Sequence, residues 1–314
     1  MRMNILQEGK FQEKKKKSER LADSYFRIGW DDRAAALRSC GMSLQFERYV
    51  SGSRRLFKAD FCKGRLCPMC AWRRTTKIFV QTSKIMDYIQ ENDQDNWPVF
   101  LTLTVRSVSL YQLGQAIEEM QVAWNRLMAN KSIKSRVKGW MRALEVTVNH
   151  DDHSRERETY EAHPHFHAIL MVPKKYFQKS SGLYLETTDW VSKWRKAALL
   201  DYDPVCYIEA IKAKGNYQRE VAEVAKYCVK DADYIIDGNE ELTDWIVEHL
   251  HCALAGRRLV AYGGNMKEAK RVLALEDVEK STVNLTDKLR DDVIEAVELY
   301  CWSAGVGDYI KQIL

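Results

Sequence analysis

The 314-residue sequence predicts an α+β fold. It is a central, mostly antiparallel sheet of split βαβ type with helices on one face, flanked by a cysteine-bearing N-terminal segment and a helical C-terminal segment. Three observations carry this. Four short β-branched runs, VFLTLTV (99–105), MRALEVTVN (141–149), HFHAILMV (165–172) and VCYIEAIKA (205–213), are bounded by polar segments, as strands are. Helical apolar spacing occupies the gaps, in YQLGQAIEEMQVAWNRLMAN between the first two runs and TTDWVSKWRKAALL before the last. The resulting order is β-α-β-β-α-β. Finally, three of the runs alternate apolar and polar side chains, as sheets with one core face do.

Composition divides the chain into a basic, cysteine-bearing segment (1–90), a strand-rich domain (91–265) and charged amphipathic helices (266–314). The polar stretch ENDQDNWP (91–98) makes the first boundary. A 46% hydrophobic, 30% charged chain is that of an ordinary globular protein, and its net charge of +5 is compatible with a nucleic-acid partner without requiring one. No apolar run approaches the roughly 18 residues that span a bilayer, so no membrane role is expected and the chain reads as cytoplasmic. Lys14–Lys17 read as a solvated, mobile arm, the other reading being a phosphate contact. Thr188 is a possible cap for the helix near 187.

In the first run Leu101, Leu103 and Val105 share one face, and Thr102 and Thr104 the other. In the second, Leu144, Val146 and Val148 oppose Glu145 and Thr147; in the third, Phe166, Ala168, Leu170 and Val172 oppose His165 and His167. Ile169 and Met171 lie beyond the histidines on the same side and need cover from another element. Histidines at i and i+2 of a strand point the same way and can chelate one ion. Glu145, on the adjoining strand, completes a set of two imidazoles and a carboxylate with open positions, which suits Mn²⁺ or Mg²⁺. The competing reading is a pair of strand histidines with no ion. His163 reads as a loop residue that orients its neighbours, and His150, Asp151, Asp152 and His153 stay open as other ligands.

YQREVAEVAKYCVK (217–230) reads as a helix with Val221, Val224, Ala225 and Cys228 as its buried stripe. Glu223, Tyr227 and Lys230, at i, i+4 and i+7, cluster on the other side. A tyrosine off the apolar stripe, between a carboxylate and an ammonium, suits a nucleophile at a phosphoryl centre, with Glu223 as general base and Lys230 favouring the phenolate or holding a phosphate. The competing reading is a surface ion pair beside a half-exposed tyrosine. In the N-terminal segment, Cys67 and Cys70 form a compact chelating pair, to which Cys40 and Cys62 can add two thiolates for a structural Zn²⁺. Four free buried cysteines are the alternative. Around them Arg54, Arg55, Lys58, Lys63, Arg65, Arg73 and Arg74 interleave with Trp72, a pattern that can neutralise phosphates and stack on unpaired bases, or else a charged surface over a small core.

HPHFHAILMV followed by EVAKYCVKDADY resembles the HUH endonuclease superfamily. More closely, the chain resembles the rolling-circle plasmid replication initiators of Gram-positive bacteria that pair one tyrosine with a glutamate four residues before it. FLTLTV, RALEVTVN, CGMSLQF, FCKGRLCPMCAWRR and GRRLVAYGG extend the resemblance over about residues 36–275. It implies that His165 and His167 hold the divalent metal and that Tyr227 attacks a DNA phosphodiester, giving a 5′-phosphotyrosyl link and a 3′-hydroxyl primer. Glu223 would activate water for the closing cleavage, and Lys230 fits the lysine of the Tyr-x-x-Lys signature. Tyr217 and Tyr234 are rival nucleophiles without that glutamate one turn before. Expected partners are plasmid origin DNA, single-stranded or as a hairpin, a host helicase and further copies of the chain. A relaxase or transposase of the same superfamily and a non-catalytic zinc-bearing nucleic-acid binder are the other readings.

Overall fold

A computed structural model of the chain describes residues 8–149, 160–211, 221–222, 224, 234–278 and 293–312. In chain order the elements are α1 (Glu8–Arg27), α2 (Asp31–Ser39), β1 (Ser43–Tyr49), β2 (Arg54–Ala59), α3 (Pro68–Asn92), β3 (Asn96–Thr104), β4 (Val108–Ser109), α4 (Leu113–Ala129), α5 (Lys131–Lys134), β5 (Gly139–Asn149), β6 (Glu161–Pro173), α6 (Thr187–Ala198), β7 (Cys206–Ala210), α7 (Glu240–Leu254), β8 (Val260–Gly263), α8 (Gly264–Val272), β9 (Ile294–Ser303) and β10 (Asp308–Gln312). The fold is α+β and its strand pairings are antiparallel. Two compact units divide the chain, one of residues 1–77, 234–248 and 280–314, the other of 78–233 and 249–279.

The second unit is built on the sheet β7-β3-β6-β5-β8. The predicted β-α-β-β-α-β order is β3-α4-β5-β6-α6-β7, and β8 adds an edge the sequence pattern did not contain. One face carries Leu144 opposite Phe166, and α4 and α6 pack there. Buried Leu113, Ile117, Met120, Trp124 and Leu127 form the inner stripe of α4, and Trp124 and Trp194 set their rings 5.7 and 6.3 Å from that of Phe166. Each such side chain contributes about 1.5–3 kcal/mol on leaving water. Helix α6 starts on a capping box between Glu186 and Asp189 rather than on Thr188, because the helix begins at Thr187, two residues earlier than a cap at Thr188 would allow.

The opposite face carries Met141, Ala143 and Glu145 on β5 against Ile169, His167 and His165 on β6. Ile169 and Met171 are fully buried, and the cover they need comes from the later turns of α3. Thr82 Oγ1 lies 3.5 Å from Met141 Sδ and 3.2 Å from the Tyr262 hydroxyl on β8. Helices therefore lie on both faces, with α3 over the methionine end of this one.

The first unit holds the sheet β10-β9-β1-β2. Phe11 of α1 packs edge-on against Phe46 of β1 and Trp72 of α3. Two expectations are corrected here. Lys14–Lys17 belong to α1 rather than to a mobile arm; Lys15 is fully buried, its Nζ donating to the Arg38 carbonyl at 2.6 Å beside Glu19 at 2.9 Å. Lys15 shares the buried stripe of Phe11, Ser18, Leu21 and Tyr25, so helical period overrides residue type. Among the described residues of the C-terminal segment 266–314, the helix is α8, and Ile294–Ser303 and Asp308–Gln312 are strands, β9 pairing with β1 along Ser43–Tyr49. IEAVELYCWS satisfies both periods, and the partner strand from the other end of the chain decides between them.

Candidate functional site

On β5 and β6 the register sets Glu145 directly opposite His165, with His167 two residues on. One carboxylate oxygen of Glu145 lies 3.6 Å from His165 Nε2 and 3.2 Å from His167 Nε2. These separations approach the roughly 3 Å edge of an octahedron with ligands at about 2.1 Å, so the three atoms fit one hard divalent cation. Glu145 and His165 are buried, and His167 is partly so. Burial opposes ionisation of Glu145, but hydrogen bonds and charge from His165 and His167 outweigh it and hold the carboxyl well below the usual carboxylate range.

Both imidazoles are fixed from behind. His165 Nδ1 donates to the His163 carbonyl at 3.1 Å, so that in the neutral ring a metal ligand requires, Nε2 is the nitrogen that offers its lone pair on the Glu145 side. His167 Nδ1 lies 3.1 Å from Thr102 Oγ1 on β3, and Phe100 stacks on the same ring at 5.6 Å. Such outer partners set tautomer and ring orientation at metal sites. His163 does orient its neighbour, but as part of β6 rather than of a loop, and through its carbonyl as well as its ring, stacked 5.3 Å from that of His165. Burial, and then the charge of His165, lowers the pKa of His163. Thr102 was not singled out from the sequence, although strand alternation placed it on this face.

A second cluster lies in the first unit. Cys40 follows α2, Cys62 and Cys67 lie in the coil before α3, and Cys70 is in its first turn. Their Sγ separations are 3.6 Å for Cys40–Cys67, 3.6 Å for Cys40–Cys70 and 3.7 Å for Cys62–Cys70. Four sulfurs about 2.3 Å from one ion lie roughly 3.8 Å apart in a tetrahedron, so this cluster fits a closed four-thiolate site. Hydrogen bonds among the thiols push Cys40 and Cys70 up, while Cys67 is pulled down against its burial by hydrogen bonds from Cys40, Cys62 and Cys70.

Comparison with known proteins bears on both clusters, because the matched residues include Glu145, His165 and His167 and, of the cysteines, Cys62, Cys67 and Cys70. Residues 53–310 match the model of a family described as replication protein. The chain belongs to the replication protein family. Members similar to it include a protein rep of a Bacillus species, 38% identical over 87% of this chain and 91% of its own length. A protein rep of Bacillus amyloliquefaciens is 36% identical over 95% and 92%, and one of Streptococcus pneumoniae is 32% identical over 92% and 88%. No solved structure matches. The resemblance to plasmid rolling-circle initiators of Gram-positive bacteria therefore holds over nearly the whole chain, and as a member of this family the protein is a plasmid replication initiator.

The remaining predicted site residues of this family member fall unevenly. Glu223, Tyr227 and Lys230 lie outside the described residues, as do Tyr217, His150, Asp151, Asp152 and His153; within the predicted helix 217–230, Val221 and Val224 are helical and fully buried, as the predicted stripe requires. Tyr234 is buried, and its hydroxyl donates to the Leu66 carbonyl within the first unit. Among the basic residues Lys58 and Lys63 are exposed, and Arg55, Arg65 and Trp72 half-buried. Arg54 pairs with Glu298. Arg73 and Arg74 are both buried. Arg74 donates to the Lys63 and Gly64 carbonyls and so clamps the loop that carries Cys62 and Cys67. Arg73 lies over the Trp72 and Phe61 rings, and burial lowers its pKa to about 10. A helix side is set by packing, which the count of arginines does not reveal. Among the described residues no helix is long and apolar enough to cross a membrane.

Proposed function

We propose that this replication initiator is a metal-dependent nicking and strand-transfer enzyme that opens one strand of its plasmid origin. The observation that supports this most is the Glu145–His165–His167 set, with both Nε2 atoms aimed at one carboxylate oxygen and each imidazole held from behind. A Mn²⁺ or Mg²⁺ ion bound there neutralises charge on the scissile phosphate. Tyr227 is the nucleophile: its phenol oxygen bonds to phosphorus, the bond to the 3′-oxygen breaks, and that oxygen leaves as the 3′-hydroxyl that primes synthesis. Lys230 stabilises the phenolate. At termination Glu223 takes a proton from the water that attacks in place of a second tyrosine. Neighbouring Glu and Lys at helical spacing, together with the family membership, support these roles.

The four cysteines hold a structural Zn²⁺ and so brace a segment in which Arg54, Arg55, Lys58, Lys63, Arg65 and Trp72 contribute to origin recognition. A host helicase unwinds the duplex that the nick alone leaves paired. Tyr227→Phe is expected to bind a labelled single-stranded origin oligonucleotide with Mn²⁺ yet form no covalent adduct on a denaturing gel. An unchanged adduct would remove Tyr227 from the mechanism. Glu223→Ala is expected to nick but to release by hydrolysis at least a hundredfold more slowly. Absence of cleavage by the parent chain with any divalent metal would favour a binding protein instead.

A further inference from the structure

The sheet face that carries the metal-binding set continues outward to what is, among the described residues, the edge strand of the sheet. Strand β7 is the last of its sheet, and its register places Tyr207 opposite Thr102, which in turn lies opposite His167. His167, Thr102 and Tyr207 thus form one row across three strands. With about 4.8 Å between strands, Tyr207 stands roughly 10 Å from His167 on the same face. Tyr207 is 52% exposed. Its hydroxyl donates to Glu209 Oε2 at 2.8 Å, two residues along the same strand, which pins the ring in place.

A cation stands past the same end of β7, just after β3. Arg106 follows β3 two residues after Thr104, the partner of His165. It is exposed, its guanidinium lies 3.8 Å from the centroid of the Tyr202 ring, and its backbone N–H donates to the Tyr202 hydroxyl at 2.8 Å. The side chain is therefore held in one place without its charge being neutralised: among the described residues no carboxylate pairs with it. An exposed, pinned aromatic in the row of His167 and an exposed, pinned cation past the same end of β7 match what an unpaired strand presents, bases for stacking and phosphates for ion pairing.

We propose that Tyr207 and Arg106 form the track that seats the unpaired DNA strand beside the scissile phosphate, Tyr207 stacking on one base and Arg106 holding a backbone phosphate. The inference rests on the nicking reading above and adds to it a substrate-positioning surface on the β7 edge. A pinned ring loses little freedom on stacking, and stacking accepts any base, so the track fixes the path of the strand without reading its sequence.

The test uses the full chain and a single-stranded oligonucleotide spanning the nick site, with 2-aminopurine placed at each position in turn. At one position near the nick the parent chain is expected to quench the fluorescence, and Tyr207→Ala to abolish that quench while weakening binding about tenfold. Tyr207→Phe, which keeps the ring, is expected to bind within twofold of the parent. Arg106→Gln is expected to lower the slope of log affinity against log salt by about one, with the quench retained. Circular dichroism and Mn²⁺ affinity equal to the parent's establish that the variants are folded and keep the metal site. An unchanged quench and affinity in Tyr207→Ala, or a tenfold loss in Tyr207→Phe, overturns the proposal. These are binding readouts and need no cleavage, so they separate from the nicking reading. Loss of the adduct in Tyr227→Phe with an unaltered Tyr207→Ala leaves that reading standing and removes the track; an adduct that survives in Tyr227→Phe, with the quench lost in Tyr207→Ala, does the reverse.

Discussion

Thr102 shows how much a metal-binding arrangement depends on a residue that touches no ion. Its hydroxyl lies 3.1 Å from His167 Nδ1, while the Nε2 of the same ring faces Glu145 at 3.2 Å. Without that partner the imidazole is free to take the other tautomer or to turn about its side-chain bonds, and either motion removes the lone pair from the ligand position. Thr102→Val, nearly equal in shape, is expected to weaken Mn²⁺ binding ten- to a hundredfold by titration calorimetry, and Thr102→Ser to restore most of it. Equal loss in both variants would point to packing rather than to the hydroxyl. Here the sequence was legible in part. Alternation along 99–105, 141–149 and 165–172 put Thr102, Glu145, His165 and His167 on one face, but alternation says nothing about register, and register is what sets Glu145 against His165 and Thr102 against His167.

Among the elements, those written in local pattern were legible and those that depend on distant partners were not. Helix α4 and strands β3, β5 and β6 lie where apolar spacing put them, because each is long enough to carry its own apolar period. Strand β8 is four residues long, too short to show a period, and exists by pairing with β5. The turn that ends it explains a glycine pair in GRRLVAYGG. Gly264 has φ +56°, and a Cβ there would meet the Lys138 carbonyl oxygen at 2.1 Å. Gly263 is closed off as well, since its Cβ would fall 2.3 Å from the Trp140 ring. Both contacts lock β8 against the start of β5. Gly264→Ala is expected to cost about 2–4 kcal/mol in urea denaturation, from the left-handed backbone and the backbone clash together. Gly256, with φ +69° and open space around its Cβ position, supplies the comparison: Gly256→Ala is expected to cost about 1 kcal/mol, from backbone conformation alone.

At the scale of the molecule, the two candidate metal centres fall in different units, Cys40, Cys62, Cys67 and Cys70 in the first and Glu145, His165 and His167 in the second. Their chemistry differs in kind. The sulfur set is closed, with Cys40, Cys67 and Cys70 buried, and it ties α2, the loop held by Arg74 and α3 to one point. A metal bound there is folding free energy, because the unfolded chain offers no such site. Among the described residues the nitrogen–oxygen set has three candidate ligands, on strands already paired along their length, so its metal adds little to the fold. Cys70→Ser is therefore expected to lose its zinc by metal analysis and to unfold several degrees below the parent, or in a separate earlier transition, with newly alkylatable Cys40, Cys62 and Cys67 reporting the opened segment. The same variant is expected to bind Mn²⁺ at the histidines within twofold of the parent, and His165→Ala to show the converse, a lost Mn²⁺ site with zinc content and thermal midpoint nearly unchanged. Loss of Mn²⁺ binding in Cys70→Ser would mean that the two units fold as one, and that the thiolate cluster supports the strands that carry the histidines.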